Sequence, residues 1–170
     1  MNPVSPPRRL TNVLAVRDEH ISGKRIGFLW NNKPNGDVIF KKIEKILAEQ
    51  SDITEFKYYG KWTASIPAET NVLEAMSQEV DLAIIGLADW GSCTSWCIHD
   101  AIELEKLNVP TVTICSDRFL ILADSESKSL GMPDLPVALG KHPFGGIDEN
   151  VIDGLIDGFV TQIISGFRGV

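Results

Sequence analysis

The sequence lacks a long apolar run, an excess of positive charge and a full set of cysteine pairs. Its 170 residues include only three cysteines, so they cannot form a complete disulfide framework. No apolar run approaches the roughly 20 residues that a transmembrane helix needs. Acidic residues outnumber basic ones by 23 to 16. We therefore expect a cytoplasmic protein that binds neither membranes nor nucleic acid, since a nucleic-acid-binding face would be basic.

Several well-known cofactor and catalytic signatures are also missing. The chain has no G-x-x-x-x-G-K-[ST] phosphate loop, no G-x-G-x-x-G fingerprint and no G-x-S-x-G elbow. The spacing of its cysteines and histidines matches no standard zinc pattern. We predict no cofactor, and two alternatives stay open. One is a thiolate-rich zinc or copper site, and the other, by fold analogy alone, is FMN.

What the chain does contain is a regular alternation of short apolar runs and amphipathic segments. Residues 1–22 are rich in proline and predict an extended N-terminal arm, laid on a partner or disordered. Residues 23–170 predict a single α/β domain. Strands alternating with helices favour a flavodoxin-like three-layer sandwich with a five-stranded, mostly parallel sheet in the order 2-1-3-4-5.

This fold predicts where a site would lie. Ligands of open α/β sheets bind beyond the carboxyl ends of the strands. The segments expected there are NNKPNGD, YYGKW, DWGSC, CSDRF and GKHPFGG, which carry most of the chemically reactive side chains. Loops are polar in most proteins, but polar and reactive groups gathered at one rim are typical of a site.

The segment DWGSCTSWC follows an apolar strand and opens a helix. Cys93 would lie in the first turn, where free backbone N–H groups and the helix dipole favour a thiolate. Gly91 permits a tight turn, and Ser92 is the predicted N-cap. The pattern indicates a candidate nucleophile at Cys93. The alternative is a small buried residue at a tight helix start.

The other two cysteines have several interpretations. Cys97 lies one turn after Cys93 on the same helix face. It could resolve an oxidised Cys93, ligate a metal with its neighbours, or simply belong to the core, which we favour. Cys115 ends the fourth strand, next to the strand that precedes Cys93. It could face the same pocket as a second thiol, although a buried position is the commoner outcome.

Other rim residues suggest proton transfer and substrate binding. His142, in KHPFGG, could act as an acid or base near neutral pH, and Asp89 could share that role. Lys33 and Asn35 precede a helix, where backbone amides favour an anion such as a carboxylate. Further substrate-binding candidates at the same rim are Trp90, Ser92 and Asp117.

Taken together, these segments resemble the UGSC-motif family, named for selenocysteine or cysteine followed by Gly, Ser and Cys. GFLWNNKPNGDVIF is similar to its DNxKPNAD segment, and DWGSCT lies where the motif belongs. DAIELEKLNVPTVTICSDRF, LGMPDLPVALGKHPFGG and the closing helix also fit, so the resemblance covers about residues 23–165. More distantly, the stretch from the cysteine loop to HPFGG is similar to the selenoprotein B component of glycine-type reductases.

The resemblance implies covalent thiol chemistry on a small carboxylate or related molecule, but the chain departs from the motif. Trp90 stands where the family has selenocysteine or cysteine, so a dithiol cycle at positions 90 and 93 is excluded. Trp90 could instead wall a substrate pocket. We expect a cysteine-dependent lyase, transferase or substitution enzyme, and specialised metabolism is one setting for it. The alternative is a non-catalytic subunit that completes a partner's active site. A homo-oligomer or a complex with a partner subunit is expected in either case.

Overall fold

The computed structural model describes residues 10–169. Ten helices and strands alternate along the chain within that range. The strands are β1 (Arg25–Trp30), β2 (Glu55–Gly60), β3 (Leu82–Ala88), β4 (Thr111–Ser116) and β5 (Val137–Gly140). The helices are α1 (Gly36–Gln50), α2 (Thr70–Glu79), α3 (Gly91–Lys106), α4 (Leu120–Ser129) and α5 (Glu149–Arg168), with a short 3-10 turn, Asp117–Phe119, before α4.

The five strands form one parallel sheet in the order β2-β1-β3-β4-β5. The predicted α/β class, strand number and strand order are therefore confirmed. The central strands β3 and β4 are buried along their whole length, as their continuous apolar runs predict for strands covered on both faces. Among residues 10–169, no helix is both long and apolar enough to cross a bilayer.

Two apolar cores cover the two faces of the sheet. On one face, α1 and α5 pack through residues such as Phe40 and Phe159. On the other, α2, α3 and α4 pack through residues such as Met76 and Ile98. Gly140, at the end of β5, is required by this packing, because a Cβ atom there would overlap the ring of Phe159. The chain can therefore turn closely over α5 just before His142.

The described part of the predicted arm, residues 10–22, runs along the domain without helix or strand. Its anchor is Glu105 of α3, whose buried carboxylate accepts the N–H of Ala15 at 2.7 Å and a guanidinium N–H of Arg17 at 2.7 Å. The same carboxylate accepts the backbone N–H of Thr111 at 2.6 Å. These bonds tie the arm to the start of β4, at the opposite end of the strands from the predicted site. Residues 1–9 of the predicted arm lie outside the described residues.

Candidate functional site

The site is built on the segments that leave the carboxyl ends of β1, β3, β4 and β5. Asp89 follows β3, Asp117 follows β4 and His142 follows β5. Because the strands are parallel, all of these segments leave the sheet at one rim. The structure therefore brings Asp89 into contact with the side chain of His142, 53 positions away in the sequence.

Asp89 lies at the centre of this rim and is fully buried, with no exposed surface. One carboxylate oxygen contacts Nδ1 of His142 at 3.0 Å. The other accepts the backbone N–H groups of Phe144 at 2.9 Å and Gly145 at 3.2 Å. A carboxylate is an acceptor with two oxygens, so three N–H donors satisfy it without any cation. Asp89 thus fixes both the His142 ring and the backbone that follows it.

The His142 ring is positioned by its Nδ1 atom. Ser116 Oγ also lies near this atom, at 3.3 Å. The carboxylate of Asp89 is closer and can only accept, so we assign the ring proton to Nδ1 and the free electron pair to Nε2. The ring packs edge-on against Trp90, with centroids 5.3 Å apart, and near Phe119 at 5.7 Å. This arrangement leaves Nε2 as the atom that can take up or release a proton.

The loop that carries His142, residues 141–147, is held by two further polar side chains. The amide of Asn35 donates to the carbonyls of Phe144 at 2.8 Å and Ile147 at 3.1 Å. Asp117 accepts from Lys141 at 2.9 Å and from the backbone N–H of His142 at 3.1 Å. The Lys141 bond is the main cause that lowers the pKa of Asp117. Both residues were predicted to bind substrate; that role stays a prediction, and the structure shows these polar atoms bonded to the loop.

Cys93 lies in the first turn of α3, as the sequence predicts. The helix begins at Gly91 and its N-cap position is Trp90, with no side-chain cap. The prediction of Ser92 as the N-cap is therefore wrong, because the helical backbone already includes it. The Cys93 thiol donates to the carbonyl of Trp90 at 3.2 Å, and only 4% of the residue is exposed. The thiol is close to the surface but screened from bulk water.

Cys97 and Cys115 lie deeper than Cys93, with no exposed surface. Burial raises the pKa of the Cys97 thiol well above its usual range, and raises that of Cys115 to about 12. Cys97 also accepts a bond from the amide of Asn31 at 3.4 Å. Both positions therefore favour the neutral thiol, which is a poor nucleophile and a poor metal ligand.

The exposed part of the rim combines an aromatic ring with unpaired positive charge. Trp90 is 54% exposed, and the ammonium of Lys33 lies 5.9 Å from its ring centroid. Neither Lys33 nor Arg118, in the 3-10 turn, has an acidic partner within residues 10–169. In a chain of net charge −7, two unpaired cations in the segments of this rim favour a negatively charged ligand.

Sequence reasoning missed a buried ion pair at the same end of the sheet. The Lys61 ammonium contacts the carboxylate of Asp100, and their side chains are 2% and 1% exposed. Burial raises the pKa of Asp100, and Lys61 opposes that shift only in part. The other oxygen of Asp100 accepts the N–H of Ala68 at 2.8 Å, so the pair closes the loop after β2. No sequence pattern links Asp100 to Lys61, whereas Phe119 belongs to CSDRF, a segment already predicted at the rim.

The larger cavities lie away from the rim. One cavity, with a volume of about 430 Å³, lies between the arm and α5 and is lined by residues that include Arg17 and Gln162. Another cavity, with a volume of about 350 Å³, lies between α2 and α3 and is lined by residues that include His99 and Asp100. Across residues 10–169, no group of three or more His, Cys, Asp or Glu side chains is arranged to hold a metal ion. Elemental analysis of the purified protein tests the zinc or copper alternative directly.

Comparison with known proteins gives one family. The sequence model of the UGSC family matches residues 1–169. A comparison with curated proteins finds no match. Among solved structures, one similar chain is titled Beta-glucoside phosphorylase BglX, with 15% identity and a TM-score of 0.37. The likeness covers 88% of this chain but 27% of that one, so this chain spans about a quarter of its length.

Proposed function

The chain belongs to the UGSC family, and from that premise we propose that it is an enzyme in which the Cys93 thiol attacks a small polar or carboxylate-bearing molecule. The observation that carries the proposal is the bond between Asp89 and His142 at 3.0 Å, at the rim where Cys93 opens α3. A buried carboxylate that orients a histidine is the arrangement by which many enzymes activate a nucleophile.

The proposed step is a substitution at carbon. Nε2 of His142 accepts the proton of the Cys93 thiol, and the sulfur forms a bond with an electrophilic carbon of the substrate. The bond from that carbon to the leaving group breaks, and the leaving group departs with the bonding electrons and the proton from His142. Lyase, transferase and substitution reactions can share this step. The sequence resemblance to the selenoprotein B component, if it holds in function, implies thiol attack on carbon, and Trp90 excludes a dithiol cycle with Cys93.

The proposed substrate class rests on two cations in the segments of the rim. Lys33 and Arg118 lie at the rim without acidic partners among the described residues, which favours a carboxylate or another small anion. Trp90, exposed beside them, offers a flat apolar surface to the rest of the molecule. We place the enzyme in a reducing compartment such as the cytoplasm, because all three cysteines are free thiols.

Alkylation of the native protein tests the proposal. Iodoacetamide should label Cys93 faster than a thiol in the unfolded chain, and the His142→Gln variant should reduce that rate at least about tenfold. Cys97 and Cys115 serve as internal controls, since burial should keep both unlabelled until the protein unfolds. Labelling of Cys93 no faster than in the denatured protein would contradict an activated nucleophile.

A second candidate function is supported by the apolar surface at the rim. Trp90 is 54% exposed, and Leu120 and Ile121 at the start of α4 are 36% and 83% exposed. Exposed apolar residues next to a site suit a subunit that completes the active site of a partner. Turnover by the isolated chain would contradict this candidate. Activity only with a second subunit in fixed ratio would support it.

A further inference from the structure

The two outer strands of the sheet, β2 and β5, differ in whether the backbone groups of their outer edges are covered. The outer edge of β5 is covered by a side chain from α5. The backbone N–H of Leu139 donates to the amide oxygen of Gln162 at 2.9 Å, and the amide nitrogen of Gln162 donates back to the Leu139 carbonyl at 2.9 Å. A glutamine amide has the same donor and acceptor as a peptide group, so it occupies the place of a neighbouring strand. No further strand can pair with β5 at this position.

The outer edge of β2 has no such cover. The strand pairs only with β1, in a regular register from Arg25–Glu55 to Trp30–Gly60. The N–H of Lys61 points to β1, where it donates to Trp30 at 3.0 Å. Because backbone groups alternate in direction along a strand, the amides of Phe56 and Tyr58 then point outward. In residues 10–169, no group bonds to those outward amides or to their carbonyls.

An exposed aromatic residue follows the carboxyl end of β2. Trp62 is 84% exposed, and Ile66 in the same loop is 43% exposed. The loop is nevertheless fixed at both ends by Asp100, which contacts Lys61 and accepts the N–H of Ala68 at 2.8 Å. A large aromatic side chain held in water on an anchored loop is typical of the residues that dominate protein interfaces.

Lys57 of β2 is held by carboxylates of its own chain. An exposed lysine is the kind of residue that keeps edge strands apart. The Lys57 ammonium lies 3.1 Å from Glu79 and 3.8 Å from Glu55, so it is neutralised within one chain. The edge therefore presents no unpaired lysine to an approaching strand.

We propose that two copies of this chain associate through β2, paired antiparallel about a two-fold axis so that the two five-stranded sheets become continuous. A second copy is the occupant because an open edge is self-complementary under a two-fold rotation, each outward N–H meeting a carbonyl of the other copy. The antiparallel arrangement places Trp62 of each copy beside the start of β2 in the other. One tryptophan at this exposure contributes about 130–210 Å² per copy, toward the roughly 800 Å² per partner of a stable interface.

Sedimentation velocity of two matched variants tests the proposal. The natural protein should sediment as a dimer, and Trp62→Glu should weaken the dimer at least about 30-fold, as the loss of a central aromatic residue does. Ile121→Glu is the control, because Ile121 is 83% exposed on α4 and lies outside the proposed interface. A natural protein that is monomeric at all concentrations would overturn the proposal. So would a dimer that Ile121→Glu dissociates and Trp62→Glu does not.

Amide exchange locates the interface without any substitution. In the dimer, the outward amides of Phe56 and Tyr58 should exchange slowly, and dilution to monomer should release them. Lys57 and Tyr59 are the controls, since their amides point to β1 and should stay protected throughout. Fast exchange at Phe56 and Tyr58 under conditions where the protein is a dimer would show that the copies meet elsewhere, and would overturn the proposal.

Discussion

Replacement of Asp89 by asparagine should move the proton on the His142 ring from Nδ1 to Nε2. Asp89 holds the N–H groups of Phe144 and Gly145 on one oxygen and Nδ1 of His142 on the other. In Asp89→Asn, the amide oxygen can keep the two backbone donors. The amide nitrogen then faces Nδ1, and two donors cannot share that contact. Nδ1 must become an acceptor, so Nε2 takes the proton and can no longer accept one.

The size of the effect follows from the same three bonds. A hydrogen bond to a buried charged group contributes about 1.5–3 kcal/mol to stability, and Asp89→Asn replaces the charged bond to His142 with a weaker neutral one, so the loss is at most of this size. For a domain of this size that corresponds to a fall in the melting temperature of about 3–12 °C. The variant should therefore still fold. Alkylation of Cys93 should slow at least about tenfold, because the proton acceptor is lost.

The assay is nitrogen NMR of the histidine rings, which distinguishes a protonated from a bare ring nitrogen. The chain has only three histidines, and His142→Gln assigns the relevant signal. Asp117→Asn is the matched control, since Asp117 bonds to the backbone N–H of His142 and not to its ring. It should leave the tautomer unchanged. A bare Nδ1 in the natural protein, or an unchanged ring in Asp89→Asn, would refute the assignment of Asp89 as the group that orients His142.

Three further predictions concern the arm, the thiols and the sheet edge. Arg17→Met should lower the free energy of unfolding by about 3–5 kcal/mol, because it leaves the buried Glu105 carboxylate without its cation. Lys24→Met breaks an exposed pair and should lower it by at most about 1 kcal/mol. Urea unfolding measures both values. Raising the pH should destabilise the protein through Cys115, whose pKa burial raises from 9.0 to about 12. The folded state keeps the Cys115 thiol neutral, so the free energy of unfolding is unaffected below the unfolded pKa and falls as the pH rises from there toward the folded pKa. At about pH 10 this loss is about 1 kcal/mol, and Cys115→Ala should not show it. Gln162→Leu should uncover the edge of β5 and produce larger assemblies by light scattering, and an unchanged size distribution would contradict the covering role.

The fold was predictable because its signals are local. Each strand is a short apolar run and each helix an amphipathic segment, so the alternation alone predicts a parallel sheet with its loops at one rim. The same logic placed Asp89 and His142 at one rim of the sheet, and the structure brings them to 3.0 Å. Sequence pattern was sufficient wherever a property depends on the order of elements along the chain.

The partners of individual polar atoms could not be predicted. Asn35 was expected to face a substrate, yet its amide bonds to carbonyls 109 and 112 positions away. Arg17 and Glu105, which fix the arm, are 88 positions apart. A polar residue at a strand end has the same sequence signature whether it meets a ligand or another loop. The choice depends on side-chain geometry that only the folded chain defines.

The contacts of Asp89 also determine when the site can first exist during synthesis. Its hydrogen-bond partners lie between residues 142 and 145. Asn35 and Asp117, which also hold this loop, bond to residues between 141 and 147. A nascent chain that has emerged only as far as β4 already exposes Cys93 but has neither the histidine nor the loop. The bonds that hold Asp89 and orient the His142 ring therefore cannot form until residues 142–145 have left the ribosome.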